Sequence, residues 1–121
     1  ELLGIVRKTF GIAEQLRAAL APVSDQLVWA FIYGSVAKGN EHGGSDIDLM
    51  LIGEHLSYSD LMERLLPVEE YLGRTINPTL YTLVDWRARK AADNSFVVRV
   101  EQQDKIDLIG RNPAEITNGQ Q

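Results

Sequence analysis

The chain contains no cysteine, which excludes disulfides, thiolate metal sites and a cysteine nucleophile. No apolar run approaches the roughly 18 residues of a membrane span, and no signal-peptide pattern opens the chain. An excess of positive charge is also missing: 12 Lys and Arg stand against 17 Asp and Glu, giving −5 with both histidines neutral. A surface that coats nucleic acid normally needs a basic face, so direct nucleic-acid binding by this chain is not expected. Repeats and low-complexity tracts are absent as well. What remains is a 121-residue chain with 45% apolar residues, enough for one domain with a core of its own over residues 1–121. A prokaryotic cytoplasm is the expected location. The first residue is Glu1 rather than Met, which suggests residues upstream and leaves a further partner domain as an open expectation.

Apolar periodicity lays out the elements. Residues 12–21 predict a helix with Ile12, Leu16 and Leu20 on one face and Pro22 just past its end. The unbroken run Leu27 to Tyr33 predicts a first strand, and residues 46–52, where acidic and apolar residues alternate before turning fully apolar, predict a second. Ser57 or Ser59 opens a helix whose stripe is Leu61, Met62, Leu65 and Leu66. Pro67 either kinks that helix or starts another, and Gly73 ends it. A third strand covers residues 75–82, with Pro78 favouring an edge position. Helices follow over residues 85–92 and 94–100, broken near Asp93, and a last strand runs over residues 105–109. The tail 111–121 reads as frayed. The fold class is α/β: a mixed sheet of about four strands with helices packed on it.

The segment YGSVAKGNEHGGSDIDLMLI, residues 33–52, carries most of the chemistry. Side chains two apart on a strand leave the same face about 6 to 7 Å apart, so Asp46 and Asp48 point together while Ile47 and Leu49 point into the core. Two convergent carboxylates repel one another, and a cation that neutralises them is the usual reason such a pair persists. All-oxygen donors favour a hard ion, magnesium or manganese, over zinc. Gly34 and Ser35 fall where the first strand ends and a short helix, residues 36–38, begins. Free backbone N–H groups and a hydroxyl at such a point suit phosphate oxygens, and Gly34 removes the side chain that would hold a phosphate away. A nucleoside triphosphate with its magnesium is the ligand this conjunction expects.

Gly34-Ser35, Ala37, Gly39 and Ser45-Asp46-Ile47-Asp48-Leu49 resemble the pattern of minimal nucleotidyltransferase domains of the DNA polymerase beta superfamily. The segment Gly73 to Thr82 looks like the third strand of a subgroup often fused behind a helix-turn-helix domain. The resemblance implies that Asp46 and Asp48 are catalytic and hold metal, and that Gly34, Ser35 and Ser45 contact the nucleotide, with Lys38 near the phosphates. The reaction implied is in-line attack of an acceptor hydroxyl on the α-phosphorus, with pyrophosphate leaving. A third carboxylate on a neighbouring strand completes the superfamily's metal site; along residues 76–81 that position is Asn77. An amide oxygen can still coordinate magnesium, but it brings no charge and takes no proton. Asp85 and Asp107 are candidate substitutes, although Asp85 reads better as a helix-capping residue.

Two functions are open at this point. One is a nucleotidyltransferase acting on a hydroxyl of a protein, an RNA end or a small molecule. The other is a weak or silent nucleotide-sensing module, either part of a regulator whose N-terminal DNA-binding domain is missing here or an antitoxin-like partner of a helical RNase. The loop 39–45, with His42, is a candidate lid. Arg87, Arg89, Lys90 and Arg99 read as solvated helix faces. Trp29 and Trp86 read as packing residues, with Trp86 the better candidate for exposure.

Overall fold

The run Leu27–Tyr33 has too many β-branched and aromatic residues to favour a helix, and it forms strand β1 at the centre of a sheet. The computed structural model describes residues 2–39 and 46–113. Helix α1 (Leu2–Leu20) leads through a 3₁₀ segment (Ala21–Gln26) into β1. Then come α2 (Ser35–Lys38), β2 (Ile47–Gly53), α3 (Tyr58–Leu72), β3 (Ile76–Tyr81), α4 (Leu83–Ala91), α5 (Ser95–Gln102) and β4 (Ile106–Gly110). The sheet order is β3-β2-β1-β4, with β1 antiparallel to both β2 and β4, and β2 parallel to β3. The expected four-stranded mixed sheet is therefore present, and Pro78 does lie on an edge strand, where its missing N–H costs no ladder bond on the open side.

Strand alternation sends successive side chains to opposite faces, and two cores result. On one face Ala30, Ile32, Leu49 and Leu51 meet Leu16 and Leu20 of α1 and Leu61, Leu65 and Val68 of α3. Leu16 and Leu20 are fully buried, each contributing about 2 kcal/mol of apolar transfer. On the other face Trp29, Phe31, Tyr33, Met50 and Ile52 meet Trp86 of α4 and Val97 and Val100 of α5. Trp86 stands edge-on to Trp29, with ring centroids 6.0 Å apart. Trp86 is a packing residue, as expected: its ring, only 1% exposed, is the aromatic anchor that seats α4 on the sheet.

Other corrections concern where elements begin and end. Helix α1 starts at Leu2, well before residue 12; Gly4 and Gly11 lower the local helix propensity, but a Cβ at Gly11 would touch nothing, so the helix passes through it. Pro67 lies inside α3 and does not open a second helix; Leu65 and Val68 on either side of it are buried, and their packing offsets the lost hydrogen bond. The stripe of α3 is Leu61, Leu65 and Val68, while Leu66 is exposed. Capping side chains set the other starts: Ser57 accepts from Asp60 N, Thr82 from Asp85 N, and Asn94 from both Phe96 N and Val97 N. Asp93, in the left-handed region at φ 57°, makes the break between α4 and α5. Residues 111–113 are not frayed, since Pro113 is buried and Asn112 donates to Glu101 Oε2 at 3.1 Å; residues 114–121 lie outside the described residues. Among the described residues no helix is long and apolar enough to cross a membrane.

Candidate functional site

The face of the sheet that carries Trp29, Phe31 and Tyr33 becomes polar towards one end. There β1 finishes, β2 and β3 begin, and the motif residues meet. Tyr33 pairs with Asp48 across β1 and β2, and Asp48 pairs with Asn77 across β2 and β3. Asp48 thus sits between a phenol and an amide on neighbouring strands. Asp46, just ahead of β2, is exposed, and Asp48 is half-buried. Asn77 donates its side-chain N–H to Asp46 Oδ2 at 3.0 Å and also hydrogen-bonds Asp48.

Burial raises the Asp48 carboxyl above its ordinary range; the Asn77 hydrogen bond opposes this and the nearby Asp46 charge adds to it. The Asp48 anion is therefore incompletely compensated by protein groups alone, which is the electrostatic condition a bound cation relieves. Burial likewise raises the Tyr33 phenol, with a hydrogen bond to Thr79 opposing and the charges of Asp48 and Tyr81 adding. Tyr33 accordingly remains a neutral phenol, hydrogen-bonded to Thr79.

Gly34 closes the site from the side. Its backbone, at φ 79° and ψ −153°, lies in a region that only glycine occupies readily. A Cβ there would run into Asp48 Oδ2. The turn therefore packs directly on the Asp48 carboxylate, which by itself requires glycine at this position. Ser35 begins α2, and the Lys38 amide donates to Gly34 O at 3.1 Å. Lys38 itself is exposed. Ser45, His42 and the rest of the loop up to Asp46 lie outside the described residues.

The substitutes for a third carboxylate are placed elsewhere. Asp85 is in the first turn of α4, its amide bonded to Thr82 Oγ1 and its carboxylate 3.3 Å from Arg89 Nε. Asp107 is on β4, the opposite edge strand, and accepts from Trp29 Nε1 at 2.8 Å. Among the described residues no group of three or more His, Cys, Asp or Glu side chains is set to hold a metal ion. The expected basic helix face is partly internal: Lys90 pairs with Glu101 at 2.8 Å, and Arg89 lies over the Tyr81 ring, 5.0 Å from its centroid. Arg87 and Arg99 are exposed, as expected. Sequence reading missed Tyr33 and Thr79; the available signal was that Tyr33, two residues on from Phe31 at the strand end, shares its face.

The fold has solved counterparts. A crystal structure of a toxin–antitoxin with AMP-PNP superposes with a TM-score of 0.60 at 17% identity, covering 87% of this chain and 78% of that one. A proposed nucleotidyltransferase from Sulfolobus solfataricus superposes with a TM-score of 0.52 at 18% identity, covering 88% and 87%. At such identities the likeness is one of fold. No curated protein matches the chain. The sequence profile of the family described as polymerase beta nucleotidyltransferase matches residues 14–113, which take in β1, α2 and β2 with the whole motif, and the chain belongs to that family.

Proposed function

We propose that the domain binds a nucleoside triphosphate together with magnesium, or manganese, and transfers a nucleoside monophosphate slowly to a hydroxyl. The observation that carries this reading is the placement of Asp46 and Asp48 on one face beside the Gly34 turn, with Asp48 incompletely compensated by its protein neighbours. Asp46, Asp48 and the amide of Asn77 would hold the cation. An all-oxygen set with two carboxylates fits a hard divalent ion. When bound, the cation offsets charge on the triphosphate and on the attacking and leaving oxygens.

The chain's own residues do the remaining work. The Gly34-Ser35 turn offers backbone N–H groups and a hydroxyl to phosphate oxygens, and Lys38 and Ser45 follow it in sequence. Tyr33, hydrogen-bonded to Thr79, stands opposite Asp48 on the neighbouring strand. In the transfer, the acceptor oxygen bonds to the α-phosphorus, the bond to the bridging oxygen breaks, pyrophosphate leaves, and the hydroxyl proton must pass to a base. No third carboxylate stands among the described residues to take it, hence slow transfer. The same observation favours a second reading, a nucleotide-sensing module with little turnover. The likeness to a toxin–antitoxin solved with AMP-PNP supports nucleotide binding and a protein partner in either case. An antitoxin-like role beside a helical RNase, or a place in a regulator with a DNA-binding domain, fits the second reading.

The test is calorimetric titration of ATP, GTP, CTP and UTP, with and without magnesium, on the parent and on Asp46→Asn/Asp48→Asn. Binding that needs both the metal and the aspartates is expected. Absence of binding under every condition would sink the proposal.

A further inference from the structure

We infer that Asn77 makes this a one-cation site: Asp46 and Asp48 take the single divalent ion that arrives with the triphosphate, and no second ion is held. The inference rests on the nucleotide reading above and concerns its stoichiometry.

Three observations lead here. The parallel register sets Asn77 opposite Asp48 at the open end of the sheet, so three side chains converge, but only two of them carry charge. Two carboxylates balance one divalent ion; a second ion would face a neutral amide. Next, the Asn77 N–H already points at the carboxylates, bonded to Asp46 Oδ2 at 3.0 Å. The positive end of an amide dipole thus occupies part of the space, and supplies part of the polarity, that a second cation would need. Finally, among the described residues no other carboxylate at the site replaces the missing charge. Asp85 is engaged by Arg89, and Asp107 is bonded to Trp29 on the far edge strand.

The nucleotide-borne ion stays affordable because the phosphates bring their own negative charge. A second ion would depend on protein carboxylates alone, and with only Asp46 and Asp48 at the site among the described residues its affinity falls away. Asn77 therefore separates nucleotide binding, which it permits, from acceptor activation, which it withholds.

The experiment counts bound Mn²⁺ by electron paramagnetic resonance on the full chain with a saturating non-hydrolysable ATP analogue. Three proteins are compared: the parent, Asn77→Asp and Asn77→Ala. Asn77 is exposed, so both substitutions leave the core untouched, and circular dichroism checks that the variants fold. One bound ion is expected in the parent and two in Asn77→Asp; Asn77→Ala, which removes the amide oxygen, should hold one ion more weakly and never two. Two ions in the parent, or one in a folded Asn77→Asp, would overturn the inference and leave the nucleotide reading standing. No bound ion in any of the three would remove both.

Discussion

Replacing Gly34 with alanine tests whether the turn and the Asp48 carboxylate are built against each other. Two separate penalties are expected. The backbone at φ 79° and ψ −153° strains any residue with a Cβ by about 1–3 kcal/mol. The new methyl also runs into Asp48 Oδ2, with Cγ at 3.4 Å and Cβ at 3.6 Å close behind, so the carboxylate must leave its rotamer at about 1 kcal/mol more. Together the loss is about 2–4 kcal/mol. For a chain of this length that lowers Tm by about 8–16 °C, at about 4 °C per kcal/mol. Gly39→Ala is the control: its backbone is also left-handed, at φ 76°, but a Cβ there meets nothing, so only about 1 kcal/mol is lost. Calorimetric melting and magnesium-nucleotide titration should be run on both. Gly34→Ala should melt well below Gly39→Ala and lose at least tenfold in nucleotide affinity, while Gly39→Ala keeps it. If the two variants melt together and both bind as the parent does, the packing of the turn on Asp48 has no energetic meaning and the argument fails.

Two pH predictions follow from the carboxylates. The Asp48 carboxyl titrates above its ordinary range, chiefly through burial; the folded state then holds a proton that the unfolded state has lost, and stability falls as pH rises from the ordinary carboxylate pKa through the raised one. Urea unfolding should accordingly show Asp48→Asn gaining on the parent between acid and neutral pH, and a variant that instead loses ground over that interval would reverse the assigned sign. Glu101 behaves oppositely: burial pushes it up, but hydrogen bonds from Lys90 and Asn112 and the charges of Lys90 and Lys105 prevail, so its carboxyl sits below the ordinary range. Its contribution is present above the ordinary pKa and lost as pH falls through the lowered one. The parent should therefore exceed Glu101→Gln in stability at neutral pH, by less than about 1 kcal/mol because the pair is solvent-screened, and the gap should close in acid. An equal gap at both pH values would mean that the charge plays no part.

The motif was legible because its information is local. A strand that must be apolar, a turn that must be glycine and two acids at strand spacing can all be read without knowing a single long-range contact. Asn77 was legible too, because one apolar strand of definite length fixed its place. The packing partners of Trp86 were not legible, for the opposite reason. Its neighbour Asp85 is polar and α4 has a mostly polar surface, so nothing local reveals that Trp29 and Tyr81 wait on the sheet to receive its ring. Tyr33 escaped notice in the same way: its tie to Thr79 needs the β1-β2-β3 register, which joins residues far apart in sequence. The start of α1 and the continuity of α3 through Pro67 likewise depend on tertiary packing that outweighs local propensity.

The position of Asn77 shows how residue 77 can differ between proteins of one fold without disturbing either core. β3 is an edge strand, and the Asn77 side chain is exposed at its open end. The two cores draw on other residues: among the strand side chains packed in them, Ile76 is the β3 residue that is fully buried, and it faces away from the site. A carboxylate-to-amide difference at residue 77 therefore removes a charge from the site without removing any apolar contact. Asp48 is not so placed, being wedged between Tyr33, Gly34 and Asn77 on an inner strand. A change there alters the turn and the burial of its neighbours together. Stability should thus respond to Gly34 and Asp48 and hardly to residue 77, whereas cation count should respond to residue 77 most of all.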